Sequence, residues 1–339
     1  MNPAATARQR RARVLVAGLG LLLGALVLGP LVGTTNIDMA AVWAAPFDWS
    51  NNPAAAIFFM ARVPRVLLAA LVGASLALAG TTYQSLLHNP LASPYTLGVT
   101  AGASLMTFLA IRFLPSGGLA EFTLPVAALV GALGTTALVM SLATRSGGTP
   151  PAVLLLAGVT LNFTIGAVVL LVHFFADYTA TARMVRWMMG DLEGATYRLL
   201  VVQFVMTVPA WILLLRCGRT FNLMSLGREE AQAHGIDADR ETRRGLLWAS
   251  WLTGVAVAVA GPVGFVGILV PHAVRLLGGV DYRIVLPGAL LGGAGFLVIC
   301  DVLARIIIRP VELPIGILTA CLGGPFFLFL LLRRGVGRG

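Results

Sequence analysis

Ala152-Val-Leu-Leu-Leu-Ala-Gly-Val-Thr-Leu-Asn-Phe-Thr-Ile-Gly-Ala-Val-Val-Leu-Leu-Val-His173 contains no Asp, Glu, Lys or Arg. A hydrocarbon core of about 30 Å is crossed by about 20 consecutive apolar residues in a helix, and this stretch supplies them. Similar runs recur at 14–32, 66–87, 95–111, 124–143, 197–215, 245–260, 263–278, 284–306 and 315–332. The chain is 58% hydrophobic and 11% charged, where soluble chains carry about a quarter charged residues. The pattern predicts an all-α, polytopic membrane protein of about ten transmembrane helices, with one transmembrane domain over residues 1–339. The runs on either side of Pro262 also read as one broken helix. The first run follows Arg8, Arg10, Arg11 and Arg13 and could pass for a signal peptide. Its apolar core is longer than a signal core, so it is read as a first span.

Orientation follows from arginine bias in short loops. A cytoplasmic N-terminus also places Arg145, the arginines from Arg216 to Arg244, Arg275, Arg283, Arg333, Arg334 and Arg338 inside, the majority of the 24. An even number of spans then puts both termini in the cytoplasm.

All 24 basic residues are arginine. Without lysine the chain cannot complete a Gly-Lys-Ser/Thr phosphate loop or form a Schiff base. Cys217, Cys300 and Cys321, and His88, His173, His234 and His272, are scattered, so neither a disulfide framework nor a metal site is expected. No cluster of nucleophile, base and metal ligands suggests a membrane enzyme. Ion-coupled carriers place ionisable groups within the membrane. Here Asp301 is the clear carboxylate inside a span, with Arg305 one turn on as an i,i+4 partner. A secondary ion-coupled transporter is therefore a distant alternative, and no cofactor or nucleic acid is called for.

Glycines recur with other small residues on helix faces, as in Gly73-Ala-Ser75 and Gly131-Ala-Leu-Gly134, which lets helices approach closely in lipid. The stretch Gly73–Gly80 echoes Gly254–Gly261, each followed ten residues later by a proline, Pro90 and Pro271. Inverted-topology repeats give such echoes, and so does chance among Ala/Gly-rich helices.

Three polar segments carry the functional reading. In the long polar stretch at about 216–244, Glu229 and Glu230 suit a helix first turn and Gly235 suits a left-handed C′ position. A short cytoplasmic helix over about 226–235 follows, suited to act as a lever for a partner. Arg62-Val-Pro64-Arg65 stands at the outer head of the second span, where Pro64 suits a first turn and arginine is disfavoured by both dipole and topology. Headgroup snorkelling explains it, as does docking of an acidic partner. Asn89-Pro90 and Pro271-His272 read as cytoplasmic turns.

Together, Arg62-Val-Pro-Arg65, Gly80 to Gln84, Asn89-Pro-Leu-Ala92 with Leu97-Gly98, Ser225-Leu-Gly227 with Ala231 and Gly235, Gly261-Pro-Val-Gly-Phe-Val-Gly267, Pro271-His272 and Glu312-Leu-Pro-Ile-Gly316 resemble the FecCD family. These are permeases of type II ABC importers for iron–siderophore complexes, haem and vitamin B12. The motifs run in family order over about residues 60–332. The resemblance implies the type II ABC importer permease fold in a bacterial plasma (inner) membrane. It also implies a homodimer or a pair with a paralogous permease, two cytoplasmic ATPase subunits that bind the ATP, and a periplasmic or lipoprotein binding protein. By that resemblance Leu226, Gly227, Glu229, Glu230, Ala231 and Gly235 couple to the ATPase. Arg62, Arg65 and Arg305 meet acidic residues of the binding protein, and Trp187, Met188, Met189 and Gly190 lie near an outer gate. Arg309 and Asp191 depart from the family pattern. Iron–siderophore is the first expectation for cargo, with haem or cobalamin as the alternative.

Overall fold

The computed structural model describes the backbone of residues 3–114, 120–145 and 148–336, and side chains within 9–114, 123–145 and 148–326. The described residues form helices and loops without strands. In chain order they are α1 (Pro3–Leu28), α2 (Met39–Ala44), α3 (Pro53–Ala56), a π-turn (Ile57–Arg62), α4 (Val63–Leu86), α5 (Val99–Phe113), α6 (Ala120–Thr144) and α7 (Pro151–Phe174). Then follow α8 (Tyr178–Met189), α9 (Tyr197–Arg216), α10 (Gly218–Met224), α11 (Arg228–Ala233), α12 (Ala238–Ala260), α13 (Val266–Gly278), α14 (Tyr282–Ile306) and α15 (Ile315–Val336). Helix starts coincide with side chains that take the first free N–H groups. Asp177, Thr196, Asp237 and Asp281 cap α8, α9, α12 and α14.

Six described helical stretches are long and apolar enough to cross a membrane, and α5, α13 and the described part of α15 are shorter apolar helices. With α12, whose first turns are charged, these account for the ten expected runs. The run 263–278 is only part of a span: α13 has 13 residues and rises about 20 Å. The pair flanking Pro262 is not one broken helix: α12 starts beside Arg228 and α13 ends beside Arg10, both at the end of the bundle where α1 begins, so the chain reverses between them. Helix α12 stops at Ala260, Gly261 takes φ +65°, and Phe265 is left-handed before α13 begins.

Helix α1 is a packed part of the bundle. Its Val14 lies against Gly278 and Gly288, and its Leu21 against Gly295. Deeper in the bundle, a Cβ on Gly73 would stand 2.2 Å from the Gly293 carbonyl oxygen, and one on Gly80 would stand 2.1 Å from that of Gly267. Lipid tails give helices no hydrophobic reason to associate, so this backbone contact is the source of packing energy. Helices α4 and α12 run in opposite directions, as the internal echo requires, and Tyr83 and Ser250 share a buried hydrogen bond of 2.8 Å between them.

The loops sort to two ends. Arg65, Asp301 and Glu312 meet at one, which we call outer. His88, Met224, Asn222 and Asp281 meet at the other. Arg10 near Gly279 places the start of α1 at this inner end, and α15 returns toward it from Glu312.

Candidate functional site

At the outer end the structure corrects the reading of Arg62 at the head of a helix. The chain is already helical from Pro53, and Arg62 closes a π-turn in which the Val63 N–H bonds to the Phe58 carbonyl. Pro64 has no N–H to continue that i→i−5 pattern to Phe59. The Tyr197 hydroxyl donates to the Phe59 carbonyl instead, at 2.7 Å.

The three outer arginines are not free rim charges. Arg62 is 6% exposed and Arg305 2%. Arg62 donates to the carbonyls of Pro30, Leu31 and Thr35. Arg305 donates to those of Val32 (2.8 Å) and Gly29 (3.3 Å). The two guanidiniums thus gather the carbonyls left open where α1 ends. Arg65 donates through Nε to Asp301 Oδ1 at 2.8 Å and through Nη1 to Glu312 Oε2 at 2.5 Å. Asp301 is fully buried, and its second oxygen lies 3.0 Å from Arg305 Nη2, the i,i+4 pair expected from sequence. Arg309 is exposed.

Glu312 leads into Gly316, which forms one side of a groove of about 810 Å³. Its walls come from the 93–104 segment (Tyr95, Thr100, Ser104), α7 (Asn162, Gly166), α8 (Met188, Met189), the break after α12 (Pro262, Phe265) and α15 (Ile317, Ala320). Among the described residues no charged side chain lines it. Unwound backbone at membrane depth is tolerated where it borders a cavity, and the 261–265 break does so. Of the expected gate residues, Met188 and Met189 line the groove. Trp187 turns away to stack edge-on against Phe108 at 5.9 Å. Gly190, with φ +74°, brings its backbone against Pro262 and Gly316. Past it, Asp191 donates its N–H to the Ala260 carbonyl. The Asp191 charge, burial and Glu312 push the Glu193 carboxyl above its ordinary pKa. Helix α8 itself was not anticipated, because Arg183 and Arg186 interrupt its apolar pattern.

At the inner end, the expected lever is two helices, α10 and α11. Glu229 and Glu230 occupy the first turn of α11, and Ala231 is fully buried. Gly235, with φ +75°, donates to the Gln232 carbonyl while Ile236 donates to that of Ala231, the pair of bonds that closes a helix on a left-handed residue. Gly227 precedes the helix at φ +122°, and Leu226 is 68% exposed. The segment is fastened on three sides. His88 Nε2 meets the Met224 carbonyl at 3.0 Å. Asn222 binds Asp281 at 2.6 Å and accepts from the Tyr282 N–H. Arg228 pairs with Asp239, which also accepts two hydrogen bonds from Thr149.

Asn89-Pro90 forms a turn here, with the Asn89 side chain accepting from the Leu91 N–H. Pro271-His272 does not: both residues lie within α13, with Pro271 buried and the His272 ring against Phe326. A helical proline orphans the carbonyl four residues back. For Pro271 that is Gly267, and Gln84 Nε2 donates to it at 3.0 Å, so the proline is accommodated without a turn. Gln84 also accepts from Arg275. Sequence reasoning did not anticipate this link.

A groove lined by no charged side chain among the described residues and an outer end held by ion pairs fit a transport protein. The model of the FecCD transport family matches residues 21–333. The chain belongs to this family. Among FecCD relatives, the hemin transport system permease HmuU of Yersinia pestis is 39% identical over 325 residues, covering 95% of this chain and 96% of that protein. The vitamin B12 import system permease BtuC of Serratia proteamaculans is 40% identical over 310 residues, covering 91% of each. A solved inward-facing conformation of a metal-chelate type ABC transporter superposes with a TM-score of 0.83 at 30% identity, over 95% of this chain and 99% of that one. The FecCD fold is that of a type II ABC importer permease.

Proposed function

We propose that this chain is the membrane permease of an ATP-driven importer that passes metal chelates inward, with iron–siderophore complexes as cargo. The observation that carries the reading is the groove of about 810 Å³, lined by no charged side chain among the described residues, walled in part by the unwound 261–265 segment and open on one side. A second permease copy, or a paralogue, closes it into a pathway. Such walls hold no fixed charge to trap an amphipathic chelate in transit. The names of the hemin and vitamin B12 relatives support haem or cobalamin as the second reading.

Two ATPase subunits act on α10 and α11 from the cytoplasm, where the arginine bias also puts both termini. Leu226, Gly227, Glu229, Glu230, Ala231 and Gly235 form that coupling element. A substrate-binding protein docks at the outer end of the inner-membrane permease. Arg62 and Arg305 shape the 29–35 loop for it. A carboxylate of that partner reaches Arg65 by competing with Asp301 and Glu312.

The test is uptake into proteoliposomes holding the permease, its ATPase and its binding protein, supplied in turn with labelled ferric siderophore, haem and cobalamin. ATP-dependent accumulation of the siderophore alone is the expected result. Accumulation of haem or cobalamin instead selects the second reading, and uptake without ATP refutes the importer.

A further inference from the structure

A second cavity, of about 610 Å³, opens at the inner end between the 84–90 turn, α10 and the 275–282 segment. Its floor is polar. Arg275, in the last turn of α13, has Gln84 as its hydrogen-bond partner and forms no ion pair among the described residues. Ser85 is 2% exposed, lines the same cavity, and its hydroxyl has no hydrogen-bond partner. Asn89 uses its side-chain oxygen on Leu91, which leaves its amide N–H groups free to donate. Asp281 is the one carboxylate on the wall, and its Oδ1 is held by Asn222 and the Arg283 N–H. The mouth, by contrast, is apolar: Leu226 is 68% exposed and Val280 76%.

Partly buried guanidinium and hydroxyl groups without counter-groups are costly. Exposed leucine and valine around them mark a surface made to be covered. Val280 follows α13 toward the cytoplasm, so the apolar mouth lies on the aqueous side of Arg275. A phospholipid would need the reverse order, with its phosphate nearer water than its tails. A protein side chain entering from the cytoplasm fits the order found. Apolar rims around a desolvated arginine are also the usual anatomy of a protein–protein anchor. The cavity is continuous with α10 and Leu226, the lever of the function proposed above, on which this inference rests. We infer that the cleft seats an acidic side chain of the ATPase subunit, its carboxylate taking N–H groups of Arg275 and of the Asn89 amide while Leu226 and Val280 cover the contact.

The experiment measures association of nanodisc-held permease with the ATPase subunit that co-purifies with it, across a salt series. Arg275→Gln should weaken association by on the order of tenfold or more, as removal of one partner of a buried charge pair does. Should that variant lose its monodisperse elution, the rim decides. Val280→Glu, on an exposed position, should weaken association at low salt and recover at high salt, and Val280→Lys should bind more tightly than Val280→Glu. Equal binding by the Glu and Lys variants, or undiminished binding by a folded Arg275→Gln, overturns the cleft while leaving the importer reading intact. If the wild-type permease binds no ATPase, both fall.

Discussion

Replacing Asp301 by Asn keeps the side chain's shape and removes its charge. In the fold Asp301 is fully buried between Arg65 Nε at 2.8 Å and Arg305 Nη2 at 3.0 Å. The substitution leaves Glu312 as the carboxylate hydrogen-bonded to Arg65 and removes the charge between Arg65 and Arg305. Hydrogen bonds to charged groups contribute about 1.5–3 kcal/mol each, and removing one member of a buried ion pair costs about 3–5 kcal/mol. Asp301→Asn should therefore destabilise the bundle by about 3–5 kcal/mol. The internal comparison is Glu241–Arg244, a 3.0 Å pair whose arginine is 53% exposed. There Glu241→Gln should cost about 0.2–1 kcal/mol. Both are read by reversible SDS unfolding of the purified permease, monitored by tryptophan fluorescence. If Asp301→Asn lies within 1 kcal/mol of Glu241→Gln (about the exposed-pair ceiling), the outer network is an incidental cluster and the argument for it fails.

Gly235→Val should strain the left-handed cap by about 1–2 kcal/mol and cut ATP-driven uptake while the bundle elutes unchanged; full uptake would dismiss α11 as a lever. Gly80→Leu should abolish the yield of folded protein, measured by size-exclusion chromatography, because its Cβ meets the Gly267 carbonyl at 2.1 Å; wild-type yield would show that the helices can part there. Glu193 is harder to ionise in the fold than in the unfolded chain, so its ionisation weakens the fold. Glu193→Gln and wild type should be equally stable below the ordinary carboxylate range, with the variant gaining as pH rises through the raised pKa; a gap constant with pH contradicts this.

The spans were legible because a bilayer leaves a long, plain signature: about 20 apolar residues and few charges. Gly235 was legible for a local reason, since a left-handed cap is a property of neighbouring residues. The same holds for Asp301 and Arg305, one turn apart. What the sequence hides is contact between distant segments. Arg65 and Asp301 are 236 positions apart, and nothing near Arg65 announces the carboxylate that receives it. For Arg62 the sequence offered headgroup snorkelling or an acidic partner and not the carbonyls of 29–35, which carry no side-chain signal. Pro271 read as a turn because its neighbours do not reveal that Gln84 supplies the missing donor. Helix α10 escaped notice because its seven residues are too few to show a period.

The seating of α1 has a consequence for synthesis. Val14 and Leu21 pack on α13 and α14, and the carbonyls past its end wait partly for Arg305, 276 positions beyond Gly29. The ribosome therefore releases α1 into the bilayer long before its neighbours exist. Until α14 is inserted, the face of α1 that carries Leu21 has only lipid against it, and the insertion machinery or a lipid headgroup must satisfy the Gly29 and Val32 carbonyls that Arg305 later takes. Nascent chains arrested ahead of residue 282 should expose that end to labelling reagents, and full-length chains should protect it.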